Sequence, residues 1–269
     1  MKNKHIITNL INSSKIEYDQ NLLKQYTNYL INFIQQKVER AKAKGVIFGL
    51  SGGIDSALIA ALAKKAFPNN SLGIIMPIDE MKKDLIHIEE LKNNLDLNIQ
   101  TFDLSNQFDS FMNLMPELSK MAKSNIKPRL RMTTLYALGQ NLNYLVLGTD
   151  NLDEYFIGYF TKYGDGGADL LPISHLLKNE VKLMAKYLNV PDSIIDKAPS
   201  AGLWEGQTDE KELGFKYQDL DNYLLDPKSI KDKHILDRIK HLNKISQHKR
   251  RGAYRPLSIQ QFIYKKGEK

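Results

Sequence analysis

The chain of 269 residues contains no cysteine. That excludes disulfides, thiolate metal sites, persulfide sulfur transfer and a cysteine nucleophile within it. Its six histidines show no His-Glu-x-x-His or comparable ligand spacing, which argues against a dedicated zinc site. Long apolar runs are missing too: the longest, Ala57 to Ala63, is far short of a membrane span. The start, Met1-Lys2-Asn3-Lys4-His5, has no apolar core followed by a small-residue cleavage site, so the expectation is a cytoplasmic protein without a membrane partner. Hydrophobic residues at 42% and charged residues at 26% exclude a disordered chain and leave enough apolar material for a sizeable core.

The net charge of +7 is unevenly placed. From Asp226 to Lys269 there are thirteen basic and four acidic residues, a local charge of +9 that leaves −2 on the rest. A uniformly basic surface would favour nucleic acid; a near-neutral body with a basic end suits a polyanionic small ligand, an acidic partner or a solvated tail. No nucleic-acid motif is present, and the only aromatics in the basic end are Tyr254, Phe262 and Tyr264, so no nucleic-acid partner is expected.

Periodicity predicts a single domain over 1–269, with a helical N-terminal segment over 1–44 and a basic C-terminal tail over 246–269. Leu22, Leu23, Tyr26, Tyr29, Leu30, Phe33 and Ile34 recur at helical steps, and Gly45 reads as the stop of that helix. Short apolar strands follow at Val46–Leu50, Leu72–Met76, Leu97–Phe102, Tyr144–Gly148 and Leu170–Ile173. Helices are expected over Asp55–Ala66, Lys82–Asn94, Ser105–Lys123, Arg129–Leu142, Lys216–Leu225 and Lys231–Ile245. The alternation predicts an α/β fold: a doubly wound, parallel, five-stranded sheet with helices on both faces. Such sheets take ligands beyond the carboxyl ends of their strands, where the strand order reverses. The aperiodic stretch Ala198–Gly214, with the only tryptophan (Trp204), reads as a functional loop.

The strongest local signal is Gly49-Leu50-Ser51-Gly52-Gly53-Ile54-Asp55-Ser56, between the first strand of this sheet and its helix. Glycines let backbone N–H groups turn inward, and a helix N-terminus adds partial positive charge, so the loop is suited to phosphates. It lacks the Gly-Lys-Ser/Thr ending of a Walker loop and is not a Gly-x-Gly-x-x-Gly fingerprint. A tight turn with Ser or Asp capping the helix is the plainer alternative. Asp55 speaks against it, because an acid beside a phosphate cradle is repulsive unless a divalent cation bridges the two.

Ser51-Gly52-Gly53-Ile54-Asp55-Ser56 resembles the pyrophosphate-binding loop of the N-type ATP pyrophosphatases, which adenylate a substrate oxygen with ATP and let a nucleophile displace AMP. GMP synthetases, asparagine synthetases, tRNA-modifying enzymes and NAD synthetases all share that loop. Further segments resemble the NAD synthetases in order along the chain. They are Lys127-Pro128-Arg129-Leu130-Arg131-Met132, Gly148-Thr149-Asp150-Asn151 with Glu154, and Thr161-Lys162-Tyr163-Gly164-Asp165-Gly166-Gly167-Ala168-Asp169. Ala198-Pro199-Ser200-Ala201 with Gln207-Thr208-Asp209-Glu210, and finally His248-Lys249-Arg250, complete the set.

The resemblance to the ammonia-dependent NAD synthetases implies an adenine nucleotide alpha hydrolase-like fold. It also implies ATP-dependent amidation of deamido-NAD by ammonia, giving NAD, AMP and pyrophosphate through an acyl-adenylate. Residue by residue it implies ATP at Gly49, Leu50, Ser51, Gly52, Gly53, Ile54, Asp55, Ser56, Thr149, Lys178 and Ser200. Mg²⁺ falls to Asp55 and Glu154, and the catalytic set is Asp55, Glu154 and Lys178. Deamido-NAD falls to Arg129, Lys162, Asp169, His248 and Lys249, and a homodimer is implied. Taken singly, Glu154 would pass as an acid in a first helical turn, Lys178 as a solvated lysine, and His248 and Lys249 as a basic tail. The loop Pro77–Asp84 departs from the family, being poorer in Gln, Asp and Glu. Without a cysteine the chain itself carries no glutaminase nucleophile, so free ammonia, or ammonia from a separate protein, is the expected nitrogen source.

Overall fold

The computed structural model describes residues 5–9, 16–78, 82–197 and 208–267. A short antiparallel pair, β1 (Ile7–Asn9) with β2 (Glu17–Tyr18), precedes the helix Gln20–Arg40. Its N-cap Asp19 accepts a hydrogen bond from the Leu22 N–H at 2.9 Å. Leu23, Thr27, Leu30, Ile34 and Val38 form its buried face, at the three- and four-residue steps that keep one stripe inward. The N-terminal segment is therefore not helical throughout, and the helix stops before the expected glycine. It ends at Arg40, Lys42 takes a left-handed conformation, and Gly45 already belongs to the next strand. Gly45 is needed for another reason: a Cβ there would lie 2.0 Å from the Asn70 carbonyl oxygen.

The main sheet has four parallel strands rather than five: β3 (Gly45–Gly49), β4 (Ser71–Ile75), β5 (Ile99–Thr101) and β6 (Tyr144–Leu147), in the order β5-β4-β3-β6. The expected fifth strand is reduced to a single bridge between Leu147 and Leu170. Pro172 has no N–H to extend that ladder, and the chain turns at once, with the Ser174 N–H donating to the Leu171 carbonyl.

Both faces are covered. Val46 and Phe48 point to the side of the helices Gln20–Arg40, Ile54–Ala66 and Lys178–Tyr187, while Ile47 points with Leu72, Ile74 and Val146 toward the helices Ser105–Asn113 and Ile126–Leu142. This is the alternation a buried parallel strand must show. The helix Ile54–Ala66 is buried from Ser56 through Ala63, which accounts for the longest apolar run. Ser105–Lys123 breaks into Ser105–Asn113 and Lys120–Ser124 around Pro116. Sequence periodicity does not mark the helix Lys178–Tyr187, because Lys178 and Glu180 occupy buried positions in it.

A smaller cluster of Ile157, Leu213, Phe215, Tyr217, Leu220 and Ile239 joins the helices Leu152–Ile157, Asp209–Leu213, Tyr217–Leu225 and Lys233–Ile245. The C-terminal residues 246–267 are not a featureless tail: they form helices Gln247–Arg250 and Ile259–Gly267. Gly158 (φ 70°) sits under the first of these, and a Cβ there would lie 2.2 Å from the Ser246 Cβ. Gly158→Ala is expected to cost about 2 kcal/mol in urea unfolding, from the clash and the left-handed backbone together. An unchanged midpoint would contradict this packing. Among the described residues, no helix is long and apolar enough to cross a membrane.

Candidate active site

From β3 the chain moves one way across the sheet to β4 and β5, and β6 lies on β3's other side. The order therefore reverses between β3 and β6, which opens a crevice beyond their carboxyl ends. The loop after β3 leads into the helix Ile54–Ala66, and the loop after β6 leads into Leu152–Ile157. Both helix N-termini thus flank the crevice.

Within the first loop, Gly52 adopts φ 76°, a conformation glycine takes at little cost. The Ser51 N–H donates to Ser56 Oγ at 3.3 Å, the Gly53 N–H donates to Ser51 Oγ at 3.3 Å, and the Ser56 hydroxyl donates to the Gly53 carbonyl at 2.9 Å. The two serine oxygens lie 3.2 Å apart. These bonds hold the turn in shape before any ligand arrives. Leu50 and Ile54 are buried and anchor it from below.

The second loop aims the acids. Asn151 caps its helix by accepting from the Glu154 N–H at 3.0 Å, and its side-chain amide donates to Asp55 Oδ1 at 2.9 Å. Asn151 thereby ties the end of β6 to the end of β3. Lys178 arrives from a third direction, at the N-terminus of its helix. Its ammonium donates to Asp55 Oδ2 at 2.6 Å and Glu154 Oε1 at 2.9 Å, and lies 4.9 Å from the centre of the Tyr217 ring. The Tyr217 hydroxyl is 3.0 Å from Asp209 Oδ2 and 3.3 Å from Glu154 Oε1. The three residues expected to be catalytic therefore meet at one point. Thr149 lies two residues past the end of β6 and is half-buried, and Ser200 and Trp204 lie outside the described residues.

Burial pushes the Glu154 carboxyl up to about 7, opposed by Lys178 and reinforced by Asp55. Burial acts to lower Lys178, but the Asp55 and Glu154 carboxylates outweigh it and hold the ammonium well above the ordinary lysine value. Asp150, only 3% exposed, is raised well above the usual carboxylate range by burial and then by Asp165, Glu154 and Asp55. The site thus holds more acid than base.

Two carboxylates converging on a shared cation position are hard oxygen donors of the kind Mg²⁺ takes. No group of three or more His, Cys, Asp or Glu suited to a metal occurs among the described residues. A site of this sparse type suits a magnesium whose remaining positions go to substrate phosphates and water. Asp55 and Glu154 fit that role.

Of the expected dinucleotide residues, Arg129, Lys162 and His248 form a second group. Arg129 Nη2 donates to the Lys162 carbonyl at 3.3 Å, and the Lys162 ammonium donates to the His248 carbonyl at 2.5 Å. Lys249 turns inward and donates to the Gly158 and Phe160 carbonyls at 2.8 Å each. Arg250 donates to the Phe156 carbonyl at 2.8 Å and to Ser246 Oγ at 2.7 Å. Lys249 and Arg250 are therefore a latch on the end of the Leu152–Ile157 helix, while the His248 ring lies 3.0 Å from the Ile245 carbonyl oxygen. Asp169 is engaged elsewhere, accepting from the Val146 N–H at 2.8 Å and from the Tyr136 hydroxyl at 3.2 Å.

Sequence reasoning assigned no role to Asn151, Tyr217, Asp153 or Asp221. The Lys178 N–H donates to Asp153 Oδ2 at 2.8 Å and to Asp221 Oδ1 at 3.1 Å, and both acids are fully buried. Asn151 had a usable signal, an Asn three residues before an acid at a helix start. For Tyr217 and Asp221 no local signal exists.

The sequence pattern of the NAD synthase family matches residues 26–253. An NH₃-dependent NAD⁺ synthetase of Mycoplasmopsis pulmonis is 51% identical over 251 residues, which cover 93% of this chain and 97% of that protein. Among solved structures, an NMN synthetase from Francisella tularensis superposes with a TM-score of 0.82 at 40% identity, over 87% of this chain and 98% of the other. An NH₃-dependent NAD synthetase from Campylobacter jejuni, in complex with the nitrate ion, gives a TM-score of 0.76 at 30% identity, over 87% and 99%.

Proposed function

This chain belongs to the NAD synthase family, and from that premise we propose that it amidates deamido-NAD with ammonia at the expense of ATP, the last step of NAD formation. The observation that carries the reading is the meeting of Asp55, Glu154 and Lys178 beside the glycine loop at the strand-order reversal. A carboxylate is a poor acceptor for ammonia until it carries a leaving group. A carboxylate oxygen of deamido-NAD attacks the α-phosphorus of ATP, the bond to the β-phosphate oxygen breaks, and pyrophosphate leaves. The ammonia nitrogen then attacks the acyl carbon of the adenylate, AMP departs, and a proton is lost from nitrogen.

The chain's residues position these partners and balance their charge. The loop over residues 49–56 and the N-terminus of the Ile54–Ala66 helix take the phosphates, with Ser51, Ser56, Thr149 and Ser200 as hydroxyl donors. Lys178 supplies a positive charge. Asp55 and Glu154 would hold magnesium, which when bound offsets the charge that builds on the leaving pyrophosphate. Arg129, Lys162, Asp169, His248 and Lys249 take the dinucleotide, and the enzyme works in the cytoplasm as a homodimer.

A second reading rests on the Francisella tularensis relative named an NMN synthetase: nicotinic acid mononucleotide carries the same reacting carboxylate. One experiment separates the two. The protein is given Mg·ATP and ammonium with either deamido-NAD or the mononucleotide, beside identical mixtures with glutamine in place of ammonium. NAD and AMP in equal amounts, formed only with ammonium and faster than NMN, are expected. Faster NMN formation would favour the second reading, and no amide with either acceptor would overturn both.

A further inference from the structure

The cation between Asp55 and Glu154 is the protein's own. The Lys178 ammonium lies 2.6 Å from one carboxylate and 2.9 Å from the other, with its side chain only 4% exposed. A divalent ion coordinated by those same two carboxylates would stand within a few ångströms of the ammonium, a repulsion that water screens only weakly where the lysine side chain is 4% exposed. Lysine and metal therefore compete for one position.

The surroundings favour exchange over permanent pairing. The backbone of Lys178 is pinned, its N–H shared by Asp153 and Asp221, so only the flexible four-carbon stem can move. Tyr217 stabilises the ammonium in its present place through the face of its ring, and its hydroxyl reaches both Asp209 and Glu154. Leaving that place costs the lysine two charged contacts and a ring contact. Only a ligand that offers comparable negative charge nearby compensates for the loss, and a triphosphate does.

We propose that Lys178 is an internal occupant of the metal position: its ammonium holds Asp55 and Glu154 together in the free protein and gives way only to a divalent cation that arrives on a nucleotide, whose phosphates then receive the lysine. The metal is thus taken up with the nucleotide and not before it. Tyr217 is the positioning residue that stabilises the lysine in its waiting place. This rests on the magnesium assignment made above but not on the identity of the acceptor.

The probe is Mn²⁺ alone, followed by loss of its free-ion EPR signal, with no nucleotide, acceptor or ammonia present. Wild type is expected to bind Mn²⁺ weakly. Lys178→Met, which frees both carboxylates, is expected to bind it about tenfold tighter or more, and adding Asp55→Asn to that variant should remove the gain. Equal affinities in wild type and a folded Lys178→Met would overturn the proposal. Because removing one partner of a buried ion pair can destabilise a protein, a second measurement uses wild type only. With ¹⁵N-lysine NMR, the Lys178 ammonium signal should stay unmoved on adding Mg²⁺ and shift on adding Mg²⁺ with a non-hydrolysable ATP analogue. A shift with Mg²⁺ alone would equally overturn it. Neither measurement forms NAD, so a failed amidation assay and a failed exchange are read separately.

Discussion

Asp55→Asn is expected to lower the rate of AMP and pyrophosphate formation by about a thousandfold or more, which corresponds to about 4 kcal/mol of lost transition-state stabilisation. The substitution keeps the size of the side chain and removes its charge. In the native site one Asp55 oxygen accepts from Asn151 and the other from Lys178, so the carboxylate lies at the junction of all three elements that build the crevice. An amide there binds no magnesium tightly and leaves Lys178 with one anionic partner instead of two. The fold should survive, because the carboxylate is still 17% exposed and lies at the rim of the core. Quenched-flow measurement of pyrophosphate with deamido-NAD and ATP gives the rate, and a thermal melt checks the fold. Wild-type turnover in this variant would refute the metal assignment.

Asp221→Ala is expected to cost about 3–5 kcal/mol of stability, among the largest effects available to a single side chain outside the main core. Asp221 is fully buried. It accepts from the Lys178 N–H at 3.1 Å, from the Asn179 N–H at 3.1 Å and from the Asn179 side-chain amide at 2.6 Å. Alanine takes this acceptor from the Asn179 N–H, leaves the Lys178 N–H to Asp153 alone and leaves a cavity where the carboxylate was. Asp153 stands beside Asp221, and burial pushes both carboxyls above the usual range; the Asp221 charge raises Asp153 further. Urea unfolding measures the loss, and Asp221→Asn, which retains one acceptor oxygen, should fall between alanine and wild type. A midpoint for Asp221→Ala equal to wild type would mean that the start of the Lys178–Tyr187 helix does not depend on this acid.

The glycine loop was legible because its signal is local: glycines and hydroxyls within eight residues, between an apolar run and a helix start. The order of strands and helices was legible for a similar reason, since periods of two and 3.6 show within short windows. Legibility failed where a local signal had more than one cause. Gly45 reads as a helix stop, yet it is a strand residue made necessary by the Asn70 carbonyl. Leu170–Ile173 reads as a strand, yet the turn after Pro172 leaves it one bridge. Lys249 and Arg250 would pass for a solvated tail, yet their cationic groups cap carbonyls at the end of the Leu152–Ile157 helix.

What the sequence determined by itself is the chemistry on offer: no thiol, a glycine- and serine-rich loop that carries an acid, an α/β alternation and a set of motifs in family order. What only the tertiary structure decided is how that chemistry is joined. Lys178 lies 123 positions from Asp55 and 24 from Glu154, and Asp221 lies a further 43 beyond Lys178. No periodicity links residues so far apart. Their meeting depends on β6 pairing beside β3 rather than beyond β5, a choice made by packing both sheet faces at once. Burial then converts three unremarkable charges into one tightly coupled centre, because charges interact strongly only after water has been removed from between them.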